Sequence, residues 1–261
     1  MRTIQLWPKQ VIKLGLFLMM GVSMNTNAGW FGFGGTNWKE EVQLHDGQRI
    51  IVKRSVERGG RHEIGQQPPY KEQSLSFAML GTDQKIIWED HYSQDLGMAN
   101  FLPMALDISE GAPYLVVKPM GCLSYNKWGR PNPPYVIFKH DGKDWQRIPL
   151  QELPAEIKSP NLIGSSPDTE VEKSGKHFFT AEMIKAINAD YRQPEYKTIL
   201  REVMKGGMPD GCMDEIRTGD GWISIDWFSG QKTYEACLKI CEREKVSAQN
   251  CPCNKLFKGA K

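Results

Sequence analysis

The chain has 261 residues, 40% of them hydrophobic, with six cysteines and a formal net charge of +2 at pH 7. A nearly neutral chain lacks the broad basic surface with which proteins usually attract nucleic acids, so no nucleic-acid partner is expected. The length suits one large domain or two small ones.

Residues 1–28 have the three-part layout of a secretory signal peptide. Arg2, Lys9 and Lys13 precede an apolar run, Leu14–Met24, and a short polar stretch then ends at Ala28. The apolar run is too short to span a bilayer, which needs about 20 residues. We therefore expect cleavage after Ala28, export to the periplasm or beyond, and no membrane span after cleavage. Loss of the three positive charges would leave a mature net charge of about −1.

Residues 29–154 are predicted to form an antiparallel β domain. Four pairs of short β-rich runs are each joined by a turn containing Asp, Glu or Gly, which is the local signature of a β-hairpin. The predicted turns are Asp46-Gly47, Asp83, Glu110-Gly111 and Asp141-Gly142. Hairpins repeated at intervals of about 30 residues are typical of a sandwich, a barrel or a propeller-like sheet. The expected fold class is therefore mainly β, with a smaller helical part.

The composition changes after this domain. Residues 155–179 are polar and rich in turn formers, and we interpret them as a linker or surface loop. Residues 180–261 are predicted to form a small helical, cysteine-rich region stapled by disulfides. Thr180 should cap its first helix, Pro194 should begin a second that ends at Gly206-Gly207, and a third should cover Thr233–Lys245.

Two stretches resemble a group of exported proteobacterial proteins that have no assigned activity. They are Trp38–Gly65 (WKEEVQLHDGQRIIVKRSVERGGRHEIG) and Met120–Leu153 (MGCLSYNKWGRPNPPYVIFKHDGKDWQRIPLQEL). The likeness runs from about Trp38 to Met204 and is not extended to the cysteine-rich tail. It implies export and a shared domain, and it implies no activity or site residue.

The cysteines are expected to form disulfides, because export places them in an oxidising compartment. Cys237 and Cys241 are one helical turn apart, so both can face a returning segment that carries Cys251 and Cys253. The favoured pairing is nested, Cys237 with Cys253 and Cys241 with Cys251. A bond within Cys251-Pro252-Cys253 would strain the disulfide geometry. By elimination, the remaining pair is Cys122 with Cys212, although six cysteines allow 15 connectivities and the sequence does not select one.

A metal site built from four thiolates is the alternative for these cysteines. Zinc sites usually pair their ligands as C-x2-C, and this spacing does not occur in the chain. Free thiolates would also require reducing conditions. We therefore expect no metal and no cofactor.

No familiar catalytic signature occurs, neither Gly-x-Ser-x-Gly nor a Walker loop nor His-Glu-x-x-His. His45-Asp46 and His140-Asp141 are candidate acid/base dyads. In the favoured interpretation, however, each aspartate builds a hairpin turn and the histidine only flanks it. His91 follows Glu89 and Asp90, a grouping that is more often a solvated strand end than a site. We therefore assign no catalytic residue.

The segment Cys122–Tyr135 is the best candidate for a binding surface. Its Tyr125, Trp128, Arg130 and Tyr135 are of the types enriched at interaction hot spots. The alternative is that the aromatic side chains close one end of the β core and that Arg130 covers them.

The favoured function is that of an exported, periplasmic, non-catalytic binding protein of the cell envelope, with a protein, peptide or glycan as partner. The alternative is an envelope hydrolase whose His, Asp and Glu side chains converge only in the fold. A cavity with inward-facing acids and imidazoles would favour the hydrolase, whereas the Cys122–Tyr135 aromatics on an open face would favour the binding protein. The side chains that would have to meet in such a cavity are His62, His91, Glu89, Asp90 and Asp95.

Overall fold

The computed structural model describes residues 35–205 and 211–257, and the predicted signal peptide lies outside them. Within these ranges the chain forms 11 strands, six helices and two 3-10 turns. The eight longer strands are β1 (Thr36–Gln43), β2 (Arg49–Arg58), β3 (Tyr70–Ala78), β4 (Lys85–Asp90), β5 (Phe101–Ser109), β6 (Ala112–Pro119), β7 (Val136–His140) and β8 (Trp145–Ile148).

The four predicted hairpins are confirmed, and each turns at its predicted position. In the turn between β5 and β6, Glu110 and Gly111 have φ of 49° and 75°. Positive φ at both positions is what a two-residue type I′ turn requires, and this turn matches the twist of the flanking strands. The hairpins follow one another as two antiparallel meanders, β1 to β4 and β5 to β8. A short strand, β9 (Phe178–Phe179), extends the first sheet by pairing in parallel with β1.

The main core lies between the two sheets. In β2, Ile50 and Val52 are buried while Ile51 and Lys53 are exposed, the alternation expected of a sheet with one face in solvent. The buried side chains of β1 to β4 pack against residues of β5 to β7 such as Leu106, Leu115 and Val117. In the part of the chain that the structure describes, the two sheets form a β-sandwich and do not close into a barrel.

The second sheet is covered on its outer face as well, and this corrects the prediction of a linker at residues 155–179. Ile157 packs with Leu153 on the outward-facing side chains of β5 to β7, and Leu162 and Ile163 are fully buried elsewhere in the core. The segment also contains α2 (Pro167–Ser174) and β9. Most residues of the segment are polar, but several of its apolar side chains are buried in the core.

The helices agree only in part with their predicted positions. Thr180 caps α3 (Ala181–Ala189) by accepting a hydrogen bond from the Met183 amide, as predicted. The second predicted helix is wrong, because Pro194–Tyr196 form only a 3-10 turn. Residues 197–205 are irregular and pack Ile199 against the second sheet, and the predicted end of the helix at Gly206-Gly207 lies outside the described residues. No helix in the described ranges combines the length and the apolar character needed to cross a membrane.

Residues 211–257 form a small disulfide-bonded unit that we call the C-terminal module. Its buried core consists of Phe228, Ile240 and three cysteines, Cys237, Cys241 and Cys253. The module contains β10 (Glu215–Arg217), β11 (Trp222–Ser224), α4 (Asp226–Ser229), α5 (Tyr234–Arg243) and α6 (Cys253–Leu256). Thr233 caps α5, so the third helix is confirmed.

Three disulfides hold the module, in the pairing that the sequence favoured. Cys237 is bonded to Cys253 and Cys241 to Cys251. The third bond, Cys122–Cys212, joins the module to α1 (Gly121–Lys127), the helix between β6 and β7. The helical spacing of Cys237 and Cys241 explains why the two inner bonds lie side by side.

Candidate ligand-binding cleft

A cleft of about 460 Å³ opens where the β1–β2 turn, β5, residues 156–161 and α3 meet. Leu44 and Ile184 supply apolar parts of its wall, and Tyr196 lines it from the 3-10 turn. Ligand sites in proteins usually have volumes of roughly 300–1,000 Å³, so the cleft is of a size that holds a small molecule. We call it the His45 cleft, after the imidazole that lines it.

His45 is fixed in the cleft by a carboxylate from the other sheet. Its Nδ1 lies 2.7 Å from Oδ1 of Asp107, and its backbone amide donates to Oδ2 at 3.0 Å. Asp107 is buried on β5, while the His45 side chain is 22% exposed. Two bonds from one residue to one carboxylate fix both the turn and the orientation of the ring.

This geometry shifts the acid–base properties of both partners. The hydrogen bond to Asp107 raises the pKa of the His45 imidazole above its usual value, and burial opposes this shift. Burial raises the pKa of the Asp107 carboxyl, and the hydrogen bond from His45 acts in the opposite direction. A carboxylate that pairs with an imidazole stabilises the protonated ring. His45 is therefore the group of the cleft whose charge changes near neutral pH.

The walls beside His45 are fixed by side-chain bonds to the backbone. Asn161 accepts a hydrogen bond from the Leu106 amide at 2.9 Å and donates to the carbonyls of Gln43 and Leu106. Asn188 on α3 accepts from the Gly164 amide and donates to the Leu162 carbonyl at 2.7 Å. Both side-chain amides are hydrogen-bonded to the backbone. They therefore fix the shape of the cleft and are not available to bind a ligand.

The two His-Asp pairs that are adjacent in sequence do not act as dyads. Asp46 accepts from the Gln48 amide and side chain, and Asp141 accepts from the amides of Lys143 and Asp144. Both aspartates thus build turns, as the favoured interpretation expected. The partner of His45 is instead 62 residues away.

The other predicted acids and imidazoles have separate partners. His91 bonds Glu72 at 2.5 Å, with Glu89 3.7 Å away on its other nitrogen, and its side chain is 63% exposed. Asp90 points into the core, where it accepts from the amides of Asn100 and Phe101. The remaining two are His62, bonded to the Gly60 carbonyl, and Asp95, bonded to Lys127.

The predicted aromatic surface is inside the protein. Tyr125 and Tyr135 are buried, at 3% and 5% exposure. Trp128 is half-buried against Phe101, with 4.6 Å between ring centroids. Arg130 donates to the carbonyls of Cys212 and Met213 and so attaches the C-terminal module. These side chains close one end of the sandwich and do not form an open aromatic face.

The cysteines are the one group in the described ranges whose ligand atoms are close enough together to hold a metal ion. Sulfurs of Cys241, Cys251 and Cys253 lie within 4.8 Å of one another. All three belong to disulfides, and a disulfide sulfur is not the thiolate that a metal binds.

Sequence reasoning missed the His45 cleft because its groups are far apart in the chain. One signal was present: Asp107 is the one charged residue in β5, an otherwise apolar strand. A carboxylate buried in such a strand needs a polar partner, but the sequence does not say which one.

Comparisons of the chain with protein-family models, with curated proteins and with solved structures give no match. The function must therefore be inferred from the cleft itself.

The pairing of His45 with Asp107 predicts a specific pH dependence of stability. Because the pKa of His45 is raised in the folded state, the stabilisation is fully present below the unfolded pKa of about 6.5 and is lost as the pH rises through the folded value. His45→Gln should therefore cost about 1 kcal/mol of unfolding free energy at pH 6 and less at pH 8. Urea unfolding at the two pH values measures this. A cost that is equal at both, or larger at pH 8, would contradict the assignment.

Proposed function

We propose that the protein is an exported, non-catalytic binding protein of the cell envelope and that its ligand is a small molecule held in the His45 cleft. The observation that carries the proposal is the cleft, which combines a suitable volume with apolar walls and a few fixed polar groups. Export is supported by the charged and apolar N-terminal sequence. The three disulfides support it too, because such bonds persist in oxidising compartments.

The rigidity of the cleft supports binding. His45 is fixed by two bonds to Asp107, and Asn161 and Asn188 connect separate segments of the wall. A site whose side chains are already held in place loses little entropy when a ligand enters. These bonds connect the two sheets and α3 with one another. The ligand would therefore lie where these three elements meet.

Blocking the cleft should remove the ligand. Ala189 lines the cleft at the end of α3, and Ala186 is exposed on the same helix but does not line it. We expect Ala189→Trp to fill the cleft and Ala186→Trp to leave it open. The full chain is expressed in its host and recovered from the envelope fraction. The protein is incubated with small molecules extracted from that envelope, and bound compounds are identified by native mass spectrometry.

The proposal requires a compound that binds wild type and Ala186→Trp but not Ala189→Trp. A compound retained equally by all three proteins would place binding elsewhere, and the absence of any bound compound would count against a binding function. Circular dichroism of the two tryptophan variants checks that both are folded.

A hydrolase is the second candidate, and one observation favours it. His45 is a base oriented by a carboxylate, the arrangement of many general bases, and no described residue bonds its Nε2. Hydrolysis of nitrophenyl esters, phosphates or glycosides that is lost in His45→Gln would support it. If none of these substrates is hydrolysed, the binding function is favoured over the hydrolase.

A further inference from the structure

The acidic side chains of the His45 cleft and the amides of Asn161 and Asn188 are already bonded within the protein. Asp107 accepts from the His45 ring, the His45 amide and the Ile108 amide. Glu156 accepts from the Ser109 hydroxyl at 2.6 Å. With Asn161 and Asn188 also engaged, the cleft offers a ligand few side-chain acceptors.

The charged groups that remain are positive, and Ser159 and Gln43 add neutral polar side chains. Lys158, Lys185 and Lys197 line the cleft, and no described residue forms an ion pair or hydrogen bond with their amino groups. Nε2 of His45 adds a fourth nitrogen, which becomes a charged donor when the ring is protonated. Several ammonium groups around one concave surface raise the local concentration of anions. The cleft is therefore complementary to a ligand that carries acceptors and negative charge.

We propose that the His45 cleft selects a small organic acid, whose carboxylate or phosphate group is bound by Lys158, Lys185 and Lys197. The body of the acid packs on the apolar wall near Leu44 and Ile184. This inference rests on the proposed binding function and adds the chemical class of the ligand. Lysine is a compact charge on a flexible stem, so the arrangement suits either type of anion.

Three sugars that share the same pyranose ring test the class. Glucuronate, glucose 6-phosphate and glucose are titrated into ¹⁵N-labelled protein that is expressed as the full chain and recovered from the envelope fraction. Both acids should shift the amide signals of residues 156–161 and 181–189, with a Kd at least about tenfold below that of glucose. The ratio of the two acid affinities shows whether carboxylate or phosphate is preferred.

Charge reversal separates specific contacts from net charge. Lys185→Glu with Lys197→Glu should raise the Kd of both acids by at least about tenfold and leave glucose unaffected. The matched control is Lys53→Glu with Lys85→Glu, which makes the same charge change on exposed positions of β2 and β4. The control should bind like wild type.

The pH dependence of glucuronate binding tests the role of His45. The ring faces Asp107 from β5, Glu156 from residues 156–161 and Asp46 in its own turn, while α3 contributes Lys185. The pKa of Glu156 is lowered by its hydrogen bond from Ser109, so its charge stays constant near neutrality. Glucuronate should bind more tightly as the pH falls through the raised pKa of His45, and His45→Gln should remove this dependence.

Equal affinity for glucose and the two acids would overturn the ligand class. So would cleft amides that respond to neither acid, or a charge-reversed cleft that binds like wild type. The proposed function is measured separately by the capture experiment with Ala189→Trp. A captured compound without an acidic group would uphold the binding function and refute this inference.

Discussion

Replacing Glu40 with alanine should lower the free energy of unfolding by about 3–5 kcal/mol, the usual cost of removing one partner from a buried ion pair. Glu40 is fully buried on β1. Its Oε1 accepts from the Trp38 indole at 2.7 Å and from Arg54 Nη1 at 2.8 Å, and its Oε2 accepts from the Ile163 amide at 3.0 Å. The substitution leaves three donors without their acceptor, and one of these donors is a charged guanidinium.

The position of Arg54 explains why the loss should be large. Its side chain is 2% exposed, donates to the Ile163 carbonyl and lies 5.1 Å from the centre of the Trp38 ring. Arg54 and Trp38 are opposite each other in the register of β1 and β2. Without Glu40, no described carboxylate lies within salt-bridge distance of this buried positive charge.

Two further variants identify the cause of this loss. Glu57→Ala removes an exposed carboxylate from the same sheet, paired with Lys71, and should cost less than about 1 kcal/mol. Glu40→Leu with Arg54→Leu removes both charges and should be less destabilising than Glu40→Ala alone. Urea unfolding followed by tryptophan fluorescence measures all three. A loss below about 1 kcal/mol for Glu40→Ala, or a double variant less stable than the single one, would contradict the argument.

The parts of the fold that the sequence predicted are those with local causes. A turn such as Glu110-Gly111 has positive φ at adjacent residues, and Gly111 is the residue type that marks such a turn in the sequence. The alternation of buried and exposed side chains along β2 is equally local. The nested disulfides belong here too, since the spacing of Cys237 and Cys241 on one helix restricts how they can pair.

The parts that the sequence did not predict depend on contacts between distant segments. His45 and Asp107 are 62 residues apart, and Glu40 and Ile163 are 123 apart. Neither pair has a local signature. Composition also did not show whether Tyr125 and Tyr135 would be exposed or buried, because the same aromatic side chains suit a binding face or a core. Residues 155–179 show the same limit, since a polar segment with few apolar residues still covers a sheet.

Removing the two inner disulfides should unfold the C-terminal module and leave the sandwich intact. Each bond closes a short loop, with sequence separations of 16 and 10 residues, and the chain-entropy model assigns about 3 kcal/mol to a loop of this length. The module has few other means of stabilisation, because three of its five buried core residues are the cysteines themselves. Replacing all four cysteines with alanine removes both bonds and reduces this core.

The sandwich should survive because its cores contain no residue of the module. The two parts are joined by the Cys122–Cys212 bond and by hydrogen bonds of three side chains. Arg130 bonds Cys212 and Met213, Asn126 bonds Met213 and Glu215, and the Trp222 indole bonds the Asp95 carbonyl. In the quadruple variant, hydrogen exchange should become fast in α5 and stay slow in β2, β3 and β6. Mass mapping of unreduced wild-type peptides supplies the control, since it must recover both inner bonds. Fast exchange throughout the sandwich would show that the module is part of one cooperative unit, and unchanged exchange in α5 would show that the disulfides are not what holds it.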